Sequence, residues 1–112
     1  MILLHDYSGH PFQVQLSREL AGRGHDVCHV HCPSYATGKG SLQRRPDDPP
    51  GLRIEEVDLG EPFDKYHFRR RWAQERRYGR LFVELAADER PDVLVSCNVP
   101  LFAQQEIHAW AR

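Results

Sequence analysis

Met1-Ile2-Leu3-Leu4-His5, Asp6-Tyr7-Ser8-Gly9-His10 and Pro11 open the chain as an apolar run, a turn-prone pentapeptide and a proline. The apolar run is long enough for a buried strand. The pentapeptide breaks it, and Pro11 fits the first position of a helix, where its missing N–H is no loss. Phe12, Leu16 and Leu20 recur every fourth residue and predict one apolar stripe on that helix. Gly22-Arg23-Gly24 stops it, since glycine accepts the left-handed conformation of a helix C-cap. Val27-Cys28-His29-Val30-His31 reads as a second strand. Strand–helix–strand with such short connections gives parallel strands and a right-handed crossover. The loop between strand one and the helix then lies at the carboxyl edge of the sheet, where open α/β folds bind ligands.

Working outward, residues 32–51 are rich in Pro, Gly, Ser and charge, and read as one long surface loop. Leu52 to Val57 partly alternates apolar with polar, as a strand near a sheet edge does, and Gly60 and Pro62 end it. Residues 64–90 read as helix in two segments. Phe68, Trp72, Phe82, Val83 and Ala86 fall on one side of it, and Gly79 on that side marks a kink or close packing. Asp92 to Cys97 reads as a strand, Asn98-Val99-Pro100 as a turn, and Leu101 to Arg112 as a helix. The fold class is therefore α/β: a single domain over residues 1–112, Rossmann-like, with a parallel sheet in strand order 3-2-1-4 and helices on both faces.

The bulk properties limit the function. The 112 residues suit one domain. An apolar fraction of 40% and a net charge of −1 describe an ordinary globular composition with no global nucleic-acid signature. No run approaches the roughly 20 apolar residues that span a bilayer. The N-terminus lacks a basic n-region and a cleavage site, so it reads as a strand and not as a signal peptide. The three cysteines then read as reduced thiols in the cytoplasm.

Cys28-His29-Val30-His31-Cys32 invites a metal site, but strand geometry opposes it. Residues four apart on a strand lie roughly 13 Å apart at about 3.3 Å each, too far to share one zinc. The histidines also point to the face opposite the cysteines, so no metal is expected. His5, at the end of strand one, reads as a half-buried structural histidine. His10 is better placed for a ligand, and His25 reads as a turn residue making structural hydrogen bonds. Gly9 precedes a helix N-terminus, where free N–H groups and the helix dipole favour an anion. One glycine is not the G-x-G-x-x-G pattern of a dinucleotide-binding dehydrogenase. Asn98 follows strand four at the ligand edge; its amide suits a sugar hydroxyl or a helix cap. Arg69, Arg70, Arg71, Arg76, Arg77 and Arg80 share one helical region with Glu75. They form either a solvated face with local ion pairs or a contact for anionic lipid or a lipid-pyrophosphate acceptor.

Ser17-Arg18-Glu19-Leu20-Ala21-Gly22-Arg23-Gly24-His25-Asp26-Val27, preceded by the loop Tyr7-Ser8-Gly9-His10-Pro11-Phe12, resembles the opening of glycosyltransferase family 4. These enzymes have the GT-B fold, two Rossmann-like domains facing across a cleft. The "LAxxGHxV" element also occurs in some sugar-nucleotide epimerases of that fold. The His-Pro-Phe loop and the cysteine after strand two resemble a bacterial subgroup that builds surface polysaccharides. Many family members carry two adjacent glycines in the first loop, where this chain has Gly9-His10.

The resemblance implies an N-terminal, acceptor-side domain, cut short relative to a complete enzyme and inactive alone. It implies transfer of a sugar from a nucleotide-sugar donor to a hydroxyl acceptor, lipid-linked or polysaccharide, with no cofactor and no metal. The donor is expected mainly on a C-terminal domain, and the catalytic loops are expected beyond Arg112, so no catalytic residue is named. Ser8, Gly9, His10 and Asn98 are the expected substrate-binding residues. The implied location is cytoplasmic, with peripheral contact at the inner membrane surface. The alternatives are a sugar-nucleotide epimerase of the same fold and a non-enzymatic α/β binding module.

Overall fold

The computed structural model describes residues 1–34 and 41–112. Its elements are β1 (Ile2–Asp6), α1 (Pro11–Gly22), β2 (Val27–His31), β3 (Leu52–Glu56), α2 (Phe68–Glu89), β4 (Val93–Cys97) and α3 (Leu101–Ala111). The four strands form one parallel sheet in the order β3-β2-β1-β4. The stretch 32–51 falls partly on residues 35–40, outside the described residues; its described parts carry neither helix nor strand.

Side-chain alternation along the strands separates two layers. Leu3, Tyr7, Cys28, Val30 and Cys32 pack with Tyr78, Phe82 and Ala86 of α2 and with Ala103 and Ile107 of α3. On the other face Val27 and Leu52 meet Ala21 of α1. Cys28, Cys32 and Cys97 are free thiols. Arg53 of edge strand β3 clamps Glu89 of α2 through two hydrogen bonds, 2.9 and 2.7 Å. Arg18 of α1 holds the approach to β3, donating to Asp48 at 2.7 Å and to the carbonyls of Ser41 and Gln43.

Helix α1 starts at Pro11 and ends in a Schellman motif. The Gly24 N–H donates to the Ala21 carbonyl and the His25 N–H to the Leu20 carbonyl, with Gly24 at φ +94. The face it buries is not the expected stripe. Phe12 is 78% exposed and Leu16 42%, whereas Val14, Ser17 and Ala21 are buried. The reason is the sheet surface beneath: His29 projects from β2, and its Nδ1 lies 2.8 Å from the Ser17 hydroxyl. A small polar residue fits that site, and a leucine would strand the imidazole.

Helix α2 is one continuous helix of 22 residues and not two segments. Residues 64–67 are a turn instead of helix, because the Asp64 carboxylate accepts the N–H groups of Tyr66 and His67. Gly79 serves close packing: a Cβ there would lie 2.8 Å from the Ala103 carbonyl oxygen. The expected α2 stripe divides along the helix. Phe82 and Ala86 are buried on the sheet, but Phe68 and Trp72 project beyond it and are exposed. Arg90, left-handed at φ 51, ends the helix ahead of Pro91. At the open edge of the sheet, Val93 and Val95 of β4 are exposed.

Candidate functional site

Parallel strands bring all their carboxyl ends to one edge. From that edge β1 runs into α1 on one face while β4 runs into α3 on the other. The chain thus diverges between β1 and β4, the place where doubly wound sheets open a crevice. A cleft of about 530 Å³ lies there. Its walls include Tyr7 after β1, Ser34 after β2, Phe63 and Lys65 ahead of α2, Arg71 on α2 and Asn98 after β4. The Tyr7 ring packs edge-on against Phe63, with centroids 5.6 Å apart, and against Tyr78 at 5.0 Å.

Asp6 joins the two diverging loops. Its carboxylate is buried at the end of β1. Oδ2 accepts the His10 N–H at 2.6 Å, and Oδ1 accepts Asn98 Nδ2 at 2.9 Å. Asn98 takes the left-handed conformation, φ 56, which asparagine tolerates. Its side chain therefore neither caps α3, whose N-cap is Pro100, nor hangs free. It braces one loop against the other, leaving its Oδ1 without a partner among the described residues.

The Ser8-Gly9-His10 loop is a tight turn. Gly9 sits at φ 72 and donates its N–H to the Asp6 carbonyl at 3.2 Å. With the His10 N–H given to the Asp6 side chain, two N–H groups at the start of α1 are already engaged. Asp6 supplies the negative charge that the helix dipole favours there. Ser8 is buried, and Ser8, Gly9 and His10 are not among the described residues lining the cleft. Asn98 does line it. Of the four expected site residues, Gly9, His10 and Asn98 thus meet around Asp6, and only Asn98 faces the cleft.

Glu75 and Arg71 form its α2 wall. Glu75 is buried; Oε1 accepts Arg71 Nε at 2.7 Å, and Oε2 accepts the Phe102 N–H at 3.3 Å in the first turn of α3. The Glu75 carboxylate raises the Arg71 pKa by accepting that hydrogen bond. Asp64 is held down to about 2, first by the Tyr66 and His67 N–H groups and then by the His67 side chain.

Beneath the cleft, His5 is fully buried and not half-buried. Tyr78 donates to His5 Nε2 at 2.9 Å, His5 Nδ1–H to the Ser96 hydroxyl at 3.0 Å, and Ser96 to Gln104 Oε1 at 3.2 Å. The imidazole stacks on Phe82 with centroids 4.0 Å apart. Burial lowers the His5 pKa to about 3, so the ring is neutral and can both donate and accept. Burial likewise pushes the Tyr78 phenol up. His29, under α1, is lowered to about 4 by burial and by His31 beside it. His25, in the turn after α1, is exposed and takes part through its backbone. Among the described residues, no group of three or more His, Cys, Asp or Glu side chains is placed to hold a metal ion.

A second, apolar concavity of about 440 Å³ adjoins the amino ends of α2 and α3, lined by Phe68, Arg69, Trp72, Ala73 and Phe102. Arg76 lies over the Trp72 ring at 5.0 Å and pairs with Glu106 at 2.6 Å. Among the described residues, no helix is long and apolar enough to cross a membrane.

Asp6 and Glu75 also build the site. In the sequence Asp6 reads as a turn residue, although a carboxylate four positions ahead of a helix N-cap is a usable signal. Glu75 stands among arginines and reads as solvated; nothing local marks it as the cap of a distant helix.

The fold and cleft define a doubly wound α/β protein with a ligand-type crevice at its topological switch point. The chain matches no family model, no curated protein and no solved structure.

Proposed function

We propose that this chain is the acceptor-side, N-terminal domain of a GT-B glycosyltransferase resembling family 4. The complete enzyme transfers a sugar from a nucleotide-sugar donor to a hydroxyl acceptor in polysaccharide biosynthesis. The observation that carries the reading is the cleft between β1 and β4, with Asn98 on its wall and Asp6 bracing the two loops. An amide with a spare oxygen accepts a sugar hydroxyl, and aromatic walls such as Tyr7 and Phe63 suit the apolar face of a sugar ring. The Gly22–Val27 element adds support, since Gly24 makes the helix stop that its sequence requires.

In this reading Asn98 touches the substrate, the Ser8-Gly9-His10 turn supports it through Asp6, and most donor contacts belong to a second domain. The protein works in the cytoplasm. The Phe68, Trp72 and Phe102 surface, with Arg69 beside it, makes peripheral contact with the inner membrane.

The test uses the 112-residue chain. Saturation-transfer NMR with glycan acceptors should give binding that Asn98→Ala weakens at least tenfold, and a panel of nucleotide-sugars should show no turnover. Turnover by this chain alone, or acceptor binding indifferent to Asn98→Ala, would overturn the proposal.

A further inference from the structure

The cleft contains two carboxylates and two cations, and their hydrogen-bonding capacity is spent unequally. Asp64 accepts two backbone N–H groups and the His67 imidazole at 2.8 Å, and Arg70 lies 4.0 Å away. Glu75 accepts from Arg71 Nε and from the Phe102 N–H. Both carboxylates are therefore engaged within the fold. The cations keep donors to spare. Lys65 has no hydrogen-bond or ion-pair partner among the described residues, although it lines the cleft. Arg71 spends only Nε, on Glu75, and its two Nη groups make no hydrogen bond among the described residues. Because Glu75 fixes Nε, the guanidinium plane is held before a ligand arrives, which reduces the entropy lost on binding.

We propose that the cleft selects a ligand carrying an oxyanion, a carboxylate or a phosphate, beside its hydroxyl groups, and that Lys65 and the Arg71 Nη groups hold that anion. The inference deepens the proposed function and rests on it for one point, that the ligand is the sugar acceptor. The acceptor is then an acidic or phosphorylated sugar and not a neutral one. The anion meets preset N–H donors in a partly enclosed space, where charge-assisted hydrogen bonds are short and strong. The remainder of the ring lies against Tyr7 and Phe63, and Asn98 Oδ1 takes a hydroxyl. The Phe102 N–H and the start of α3 are already served by Glu75, so the anion belongs with the side-chain donors and not at the helix terminus.

Equilibrium dialysis of the full chain against labelled glucuronate, glucose 6-phosphate and glucose tests this. At least one of the two anions should bind at least tenfold tighter than glucose, and whichever does so identifies the anion as carboxylate or phosphate. Lys65→Ala, an exposed change that touches no core contact, should weaken the anion at least fivefold and leave glucose unchanged. Arg71→Gln should weaken it further. Raising the salt concentration should weaken the anion alone. Glucose binding as tightly as both anions would overturn the proposal, and so would anion affinity that survives Lys65→Ala. The underlying reading fails separately. Anion selectivity in a chain whose glycan binding is indifferent to Asn98→Ala would leave this site standing and remove the glycosyltransferase. Neutral glycan binding that Asn98→Ala weakens tenfold, with no preference for the anions, would do the reverse.

Discussion

The two halves of α2 carry the same helical spacing of aromatic residues and have opposite fates. Toward the carboxyl end, Tyr78 and Phe82 are fully buried between sheet and α3, and Phe82 stacks on His5. Toward the amino end, Phe68 is 69% exposed and Trp72 40%, and arginines surround them. Periodicity says which residues share a side of a helix. It does not say how far the sheet extends beneath that side. Here β1 ends at Asp6, so the half of α2 beyond that level overhangs the carboxyl edge and becomes cleft wall and exposed surface. The lower half makes the fold, and the upper half is free for function.

The largest expected effect falls on the lower half and comes from acid. An unfolded histidine titrates near 6.5, whereas the fold holds His5 at about 3 and His29 at about 4. Between those values the unfolded chain binds protons that the folded chain refuses. The stability these two groups contribute is fully present above pH 6.5 and is lost as pH falls toward 4. By pH 4.5 the loss for the pair is on the order of 5 kcal/mol. Urea titrations at pH 7.5 and 4.5 measure it. His5→Gln together with His29→Gln should flatten the difference, and an equal pH slope in that double variant would assign the acid loss elsewhere.

Truncating one aromatic residue in each half sharpens the contrast. Phe82→Ala removes a fully buried ring and should cost about 3–5 kcal/mol in urea unfolding. Phe68→Ala removes an exposed ring that meets the edge of Phe102, at 6.0 Å, and should stay within about 0.5 kcal/mol of the parent. Comparable losses at the two sites would mean that the upper half is also core.

The same physics explains what was legible from the sequence. Apolar runs bounded by turn residues locate β1, β2 and β4, and the order 3-2-1-4 is the one a doubly wound parallel sheet takes. Gly24 announced the end of α1 because few residues other than glycine adopt its backbone angle. The phase of α1 was not legible. Phe12, Leu16 and Leu20 outweigh Val14, Ser17 and Ala21 in apolar area. The choice was made by a polar group on another element, His29, which needs Ser17. Gly9, His10 and Asn98 meet around Asp6, which is not legible as their organiser because its role depends on two partners, one of them 92 residues away in sequence. Glu75 was hidden for the same reason, since the N–H it accepts belongs to α3.

In the proposed function, ligand binds at the carboxyl edge between β1 and β4, above the His5 network. Backbone amide shifts of the 112-residue chain, followed while an acidic monosaccharide such as glucuronate is added, test it directly. Perturbations should be confined to Tyr7, Ser34, Phe63 to Lys65, Arg71 and Asn98 to Phe102, with β3 and the carboxyl half of α2 unmoved. Perturbations centred on Val93 and Val95 at the open sheet edge, or on Phe12 and Leu16 of α1, with the cleft silent, would contradict it.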